Sequence, residues 1–114
     1  EMIASLVSTA TGVDYQVRDL MTCGERGWTL KRLINHRLGL TRQNDKLPKA
    51  LLEPLEDGPV AGFVPNIHAM LEAYYEARKW DASTGHPTPE LLQALGMDWV
   101  LKDVQVIPAL PARM

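Results

Sequence analysis

The sequence predicts an all-α fold: an irregular helical bundle of about four helices with one long ordered connection. Three observations predict it. Apolar residues recur at three- and four-residue steps in separate segments, which places them on one face of a helix. Capping residues stand where those segments begin and end. Between residues 40 and 64 the periodicity lapses, and turn residues take its place.

The first helix is carried by Ile3, Leu6, Val7 and Ala10, with Gly12 after them as C-cap. Asp14 and Gln16 belong to the connection that follows. The second helix runs from about Val17 to His36 or Leu38, and Gly39 stops it. Leu20, Gly24, Gly27, Leu30, Ile34 and Leu38 share one face of it, and charged residues fill the rest. A glycine inside a helix costs about 1 kcal/mol relative to alanine. Gly24 and Gly27 therefore predict the close approach of another backbone or a bulky group. A helix of this kind is made to be buried against something large. The chain is expected to be too small to supply all of that cover, so the bundle is expected to be part of a larger helical domain.

In the connection, Leu47 to Leu52 are expected to form one or two helical turns, with Pro48 at the first helical position and Pro54 as the stop. Asp57-Gly58-Pro59 is a turn signal. A connection this long and apolar is more easily ordered along another surface. The third helix is predicted over Ile67 to Lys79, with Asn66 as N-cap and Ile67, Met70, Leu71 and Tyr74 on one face. The fourth is the best punctuated. Thr88 caps it, Pro89 fits its first position, Glu90 complements its positive end, and Gly96 closes it. Leu91, Leu92 and Leu95 form its buried side. Trp99-Val100-Leu101 and Val104 to Ile107 read as short extended pieces, and Pro108 and Pro111 make the end a tail. The expected division is one helical domain over 1–107 and a tail over 108–114.

With 12 basic and 14 acidic residues among 114, the formal charge is −2, which argues against nucleic acid as a partner. One cysteine excludes an internal disulfide framework, and a reducing cytoplasm is the natural compartment. No apolar run approaches the roughly 20 residues that span a bilayer, so no membrane partner is expected. The sequence begins at Glu1 and runs directly into a helix, as an excised or processed piece would. The apolar residues of the second helix and of the connection exceed what the other helices can cover. A symmetric homodimer of the isolated chain is the simplest remedy.

Candidate chemistry is sparse. Cys23 is the only thiol and has no Cys-x-x-Cys or Cys-x-x-His partner, so it reads as an ordinary thiol. His36, His68 and His86 lie on separate elements without a metal-ligand spacing, and His36 is placed to complement a helix C-terminus. Glu25, Arg26, Lys31, Arg32 and Arg37 form a charged band on the second helix, read as a solvated face. Arg26 and Arg37 are alternatives for buried ion pairs in a larger protein. Trp28, Tyr74, Tyr75, Trp80 and Trp99 read as core or interface. No glycine-rich phosphate loop and no nucleophile–base pair is visible. No catalytic, cofactor-binding or metal-ligating residue is expected in this chain.

Several segments carry a resemblance. Gly24-Glu25-Arg26, Trp28, Leu30, Arg32-Leu33, Asn35, Arg37 and Gly39 are similar to a Gly-Glu-Arg…Trp-x-Leu…Arg-Leu-x-Asn-x-Arg-x-Gly segment of the tungsten-dependent aldehyde:ferredoxin oxidoreductases. The resemblance continues through Thr41-Arg42-Gln43-Asn44-Asp45 with Leu47-Pro48, Glu53-Pro54-Leu55 and Asp57-Gly58-Pro59. It extends to Met70-Leu71 with Tyr74-Tyr75, then Arg78, Trp80 and Asp81. Gly85, Pro87-Thr88-Pro89-Glu90 and Leu95-Gly96 complete it, in the family's order, over about four fifths of the chain. The resemblance implies a C-terminal segment of an enzyme that oxidises aldehydes to carboxylates. That enzyme would use a tungsten (or molybdenum) bis-pterin centre and an iron–sulfur cluster, and pass electrons to ferredoxin. The family's cluster and pterin motifs are absent from this chain. The implied role is therefore a scaffold whose partner is the remainder of the parent enzyme. The alternative is a free-standing helical protein-interaction module with no catalytic activity.

Overall fold

The computed structural model describes residues 1–104, and its regular elements are all helices, with no strand among the described residues. Four principal helices stand where the periodicity places them: α1 over Met2–Thr11, α2 over Val17–Arg37, α3 over Ile67–Arg78 and α4 over Pro89–Ala94. A single-turn helix, α5, follows over Leu101–Val104. Gly12 closes α1 at φ 73°, where only glycine sits without strain. Gln16 and Asp19 start α2 as a capping box. Asn66 and Thr88 accept hydrogen bonds from the amides of Ala69 and Leu91 and so cap α3 and α4.

The connection from α2 to α3 is irregular apart from two 3-10 turns, Arg42–Asn44 and Lys49–Leu51. Pro48 sits one residue before the second turn, in the cap position rather than the first helical one. Trp99-Val100-Leu101 is not extended. Asp98–Val100 is a 3-10 turn that leads directly into α5. With no neighbouring strand to pair with, that segment satisfies its backbone locally. The expected strand to Ile107, the prolines beyond it and the boundary at 107/108 lie outside the described residues.

The core is small and built late in the chain. Leu33 of α2 and Tyr75 of α3 meet Trp80, Leu91, Leu92, Leu95, Met97 and Val100. Leu91, Leu92 and Leu95 are buried as their spacing predicts. Met70 is exposed, so α3 turns Leu71, Tyr74 and Tyr75 inward instead. The expected buried stripe of α2 is overturned in this chain. Ile34 and Leu38 are 49% and 64% exposed, and among the described residues nothing beyond the helix's own adjoining backbone lies within 4 Å of where a Cβ on Gly24 or Gly27 would stand. α2 turns its other side inward: Thr29, Arg32, Leu33 and His36. The accessible surface is 9059 Å². A compact 12.7 kDa chain would expose about 6200 Å². No helix of the described residues is long and apolar enough to cross a membrane.

Candidate functional site

The inward face of α2 carries two cationic or titratable side chains, Arg32 and His36, among its buried residues. Buried groups of this kind need partners, and theirs come from distant segments. Arg32 Nη1 and Nη2 donate to Asp45 Oδ1 and Oδ2 at 2.8 and 2.6 Å. This is the two-pronged geometry that a planar guanidinium offers a carboxylate. Arg32 Nε donates to the Gly85 carbonyl at 2.9 Å. The Tyr75 hydroxyl donates to Asp45 Oδ2. The guanidinium lies 5.1 Å from the Trp80 ring centroid and 5.9 Å from that of Tyr75.

His36 Nε2 lies 3.0 Å from the same Gly85 carbonyl. A carbonyl oxygen only accepts, so Nε2 carries the hydrogen. The ring stacks on His86, with centroids 3.6 Å apart. Both partners of His36, Gly85 and His86, come from one tight turn after α3. Asp81 N donates to the His86 carbonyl and Gly85 N to the Asp81 carbonyl, each at 2.7 Å. Asp81 Oδ1 accepts from the amides and hydroxyls of Ser83 and Thr84. Those donors hold the Asp81 carboxyl well below the usual carboxylate range.

Burial alone would raise the Asp45 pKa, but the Arg32 and Tyr75 hydrogen bonds outweigh it and hold it below its ordinary value. Burial likewise opposes the Arg32 charge, and Asp45 outweighs it, so the Arg32 pKa is raised. For His36 burial wins, aided by the Arg32 charge, and its pKa falls below 6.5 despite the Gly85 hydrogen bond. Burial, with His36 and Arg32 nearby, lowers His86 in the same way. The consequence has a definite sign. Below pH 6.5 the unfolded chain takes up protons on these two histidines before the folded chain does. Stability is thus fully present above that value and is lost as pH falls through the folded pKa values. The melting temperature should drop between pH 7 and 5, and His86→Gln should flatten that drop. An unchanged slope would contradict the assignment. Asp45 acts at lower pH, where its contribution is lost as pH falls below the ordinary aspartate range.

A cleft of about 360 Å³ opens beside this cluster, lined in part by Trp28, Lys31, Asn35, Lys46, Leu71 and Tyr74. Trp28 Nε1 donates to the Tyr74 hydroxyl at 2.6 Å, and Lys31 Nζ stands 5.0 Å from the Trp28 ring centroid. Trp80 Nε1 is buried with no hydrogen-bond partner among the described residues.

The structure corrects the sequence expectation at three places. Arg32 leaves the solvated band and becomes the centre of a buried ion pair, whereas Lys31 and Arg37 stay exposed. Arg26 ties α2 to the end of α4, its Nε donating to the Leu95 carbonyl at 2.6 Å. The histidines are not all scattered. His36 and His86 stack, while His68 stays exposed with its Nδ1 3.6 Å from Glu72. Trp99 is exposed and Trp28 is nearly half exposed, so neither is core. Cys23 is exposed. Asp45 and Gly85 were not singled out as site residues, since neither lies on a periodic segment. The available signal was the polar series Thr29, Arg32 and His36 stepping with Leu33 around one side of α2.

Chemically, the cluster is a clasp. Both Asp45 oxygens and the Gly85 carbonyl are occupied, and no side chain in it is placed as a nucleophile beside a free base. It pins the connection and the 81–86 turn onto α2.

Residues 1–97 match the family model described as "Aldehyde ferredoxin oxidoreductase, domains 2 & 3". The chain is 38% identical over 95 residues to a tungsten-containing aldehyde ferredoxin oxidoreductase of Pyrococcus abyssi, covering 82% of this chain and 16% of that protein. It is 37% identical over 95 residues to the Pyrococcus horikoshii protein of the same name, with the same coverage. An aliphatic sulfonate oxidoreductase, WOR-like subunit, of Pyrococcus furiosus is 38% identical over 69 residues, covering 58% of this chain and 11% of its own. The chain therefore spans about a sixth of the length of the aldehyde oxidoreductases it matches. No solved structure matches it.

Proposed function

The chain belongs to the aldehyde ferredoxin oxidoreductase family, and on that premise we propose that it is a C-terminal scaffold segment of a tungsten- or molybdenum-dependent enzyme. The parent oxidises an aldehyde to a carboxylate in the cytoplasm and passes the electrons to ferredoxin. Its redox chemistry is supplied by a bis-pterin metal centre and an iron–sulfur cluster. The match across residues 1–97 carries the proposal.

The donors of this chain do not fit either group. Cys23 is its one thiol, and a cluster needs several. His36 Nε2 is engaged by the Gly85 carbonyl. Among the described residues no three of His, Cys, Asp and Glu converge. We therefore assign no catalytic, cofactor-binding or metal-ligating residue to this chain. Its contribution is shape, and its partner is the remainder of the enzyme. The clasp supports this role, because it spends its polar groups on holding three segments together.

Metal analysis tests the proposal. The isolated chain, purified anaerobically, should carry tungsten, molybdenum and iron well below one atom per chain. A stoichiometric metal or cluster would overturn it and would reopen Cys23 as a ligand shared between copies. The intact mass of the native polypeptide bears on the same point. A native protein several-fold longer than 114 residues is expected, and a native protein of this length would favour a free-standing module. Self-association of the isolated chain, followed by light scattering on dilution, is expected through the exposed apolar surface.

A further inference from the structure

The two faces of α2 differ in a way the folded chain leaves unexplained. The inward face is fully used by the clasp and the core. On the far side, Leu20, Gly24, Gly27, Ile34 and Leu38 follow one another at three-, four- and seven-residue steps. Both glycines have ordinary helical backbone, so neither is needed for a left-handed turn. Among the described residues, apart from the adjoining backbone of α2 itself, no atom lies within 4 Å of where a Cβ on either glycine would stand. Alanine would serve the isolated helix better at both positions. What glycine uniquely permits there is a close approach from outside. Ile34 and Leu38, on the C-terminal side of the notch, are exposed, as are Ile3 and Leu6 of α1.

We infer that the outward face of α2, notched at Gly24 and Gly27, seats an apolar segment of the remaining oxidoreductase polypeptide. The inference rests on the scaffold reading above. One observation selects this occupant over a second copy of the chain. The matched aldehyde oxidoreductases carry this region as only 16% of their length, so most of each relative lies outside the matched region. A second copy is an outcome of the test.

Gly24→Leu and Gly27→Leu are made in two settings: the 114-residue chain alone, and this chain's residues 1–97 grafted over the matching segment of the Pyrococcus abyssi enzyme. In the chain alone, both variants should raise the melting temperature by several degrees, because leucine is a good helix former and the space is open. In the graft, both should lower it, and the control Glu72→Leu on exposed α3 surface should not. That reversal of sign supports the inference. A graft that tolerates both leucines as well as the chain alone does would overturn it and leave the scaffold reading standing. A parental graft that does not fold would overturn the scaffold reading, and the inference with it. Variants that abolish a dimer of the isolated chain, with no effect in the graft, would reassign the face to a second copy and also overturn it.

Discussion

Arg32→Ala should lower the unfolding free energy by about 3 kcal/mol, the low end of what removing one partner of a buried ion pair costs. The low end applies because the Asp45 side chain is 24% exposed and water can relieve part of its isolation. Three losses coincide. Asp45 loses its two-pronged donor, the Gly85 carbonyl loses one of its two hydrogen bonds, and Trp80 and Tyr75 lose the cation packed on their faces. A domain of this size has only about 5–15 kcal/mol of net stability, so much of it should go. Urea unfolding followed by circular dichroism measures the change. Arg32→Lys separates charge from shape, since an ammonium cannot reach Asp45 and Gly85 together as a fork does. It should recover less than half of the loss. A loss below about 1 kcal/mol for Arg32→Ala would mean that the pair behaves as an ordinary surface ion pair.

Gly85→Ala should be comparably damaging, for two separable reasons. Gly85 sits at φ +73°, a left-handed conformation that costs a residue with a Cβ about 1–2 kcal/mol. A Cβ there would also overlap Arg32 Nη2 and stand 3.3 Å from its Cζ. The Arg32 side chain cannot swing away cheaply, because Asp45 and the Gly85 carbonyl hold three of its nitrogens. The two contributions together should reach about 3 kcal/mol. A double-mutant cycle distinguishes them. In an Arg32→Ala background the overlap is gone, and Gly85→Ala should cost only the backbone part. Additive losses in the double variant would show that Arg32 is not what the alanine meets.

The helices were legible because their signals are local. Gly12, Asn66, Thr88 and Gly96 mark ends by satisfying backbone groups within four residues, and the structure uses each as expected. Leu91, Leu92 and Leu95 were legible as core for the same reason. The inward face of α2 was not. An apolar period finds Leu20, Ile34 and Leu38, whereas the buried face is mixed: Thr29, Arg32, Leu33 and His36. Arg32 and His36 are buried only because partners 13, 53 and 49 residues away neutralise or accept from them. Nothing in the spacing along one helix encodes a partner at that distance. The apolar stripe, with Ile34 and Leu38 exposed, is not the surface this chain packs by itself.

The placement of the core also bears on how the protein is made. Trp80, Leu91, Leu92, Leu95, Met97 and Val100 all follow α3 in the chain. Before α3 and α4 have left the ribosome, Arg32 already has Asp45 within reach but lacks Gly85, Trp80 and every leucine of α4. The inward face of α2 must then wait, wet, until residues 80–100 emerge. Nascent chains halted before residue 80 should be strong clients of chaperones that bind exposed apolar helices, and release should coincide with the emergence of α4.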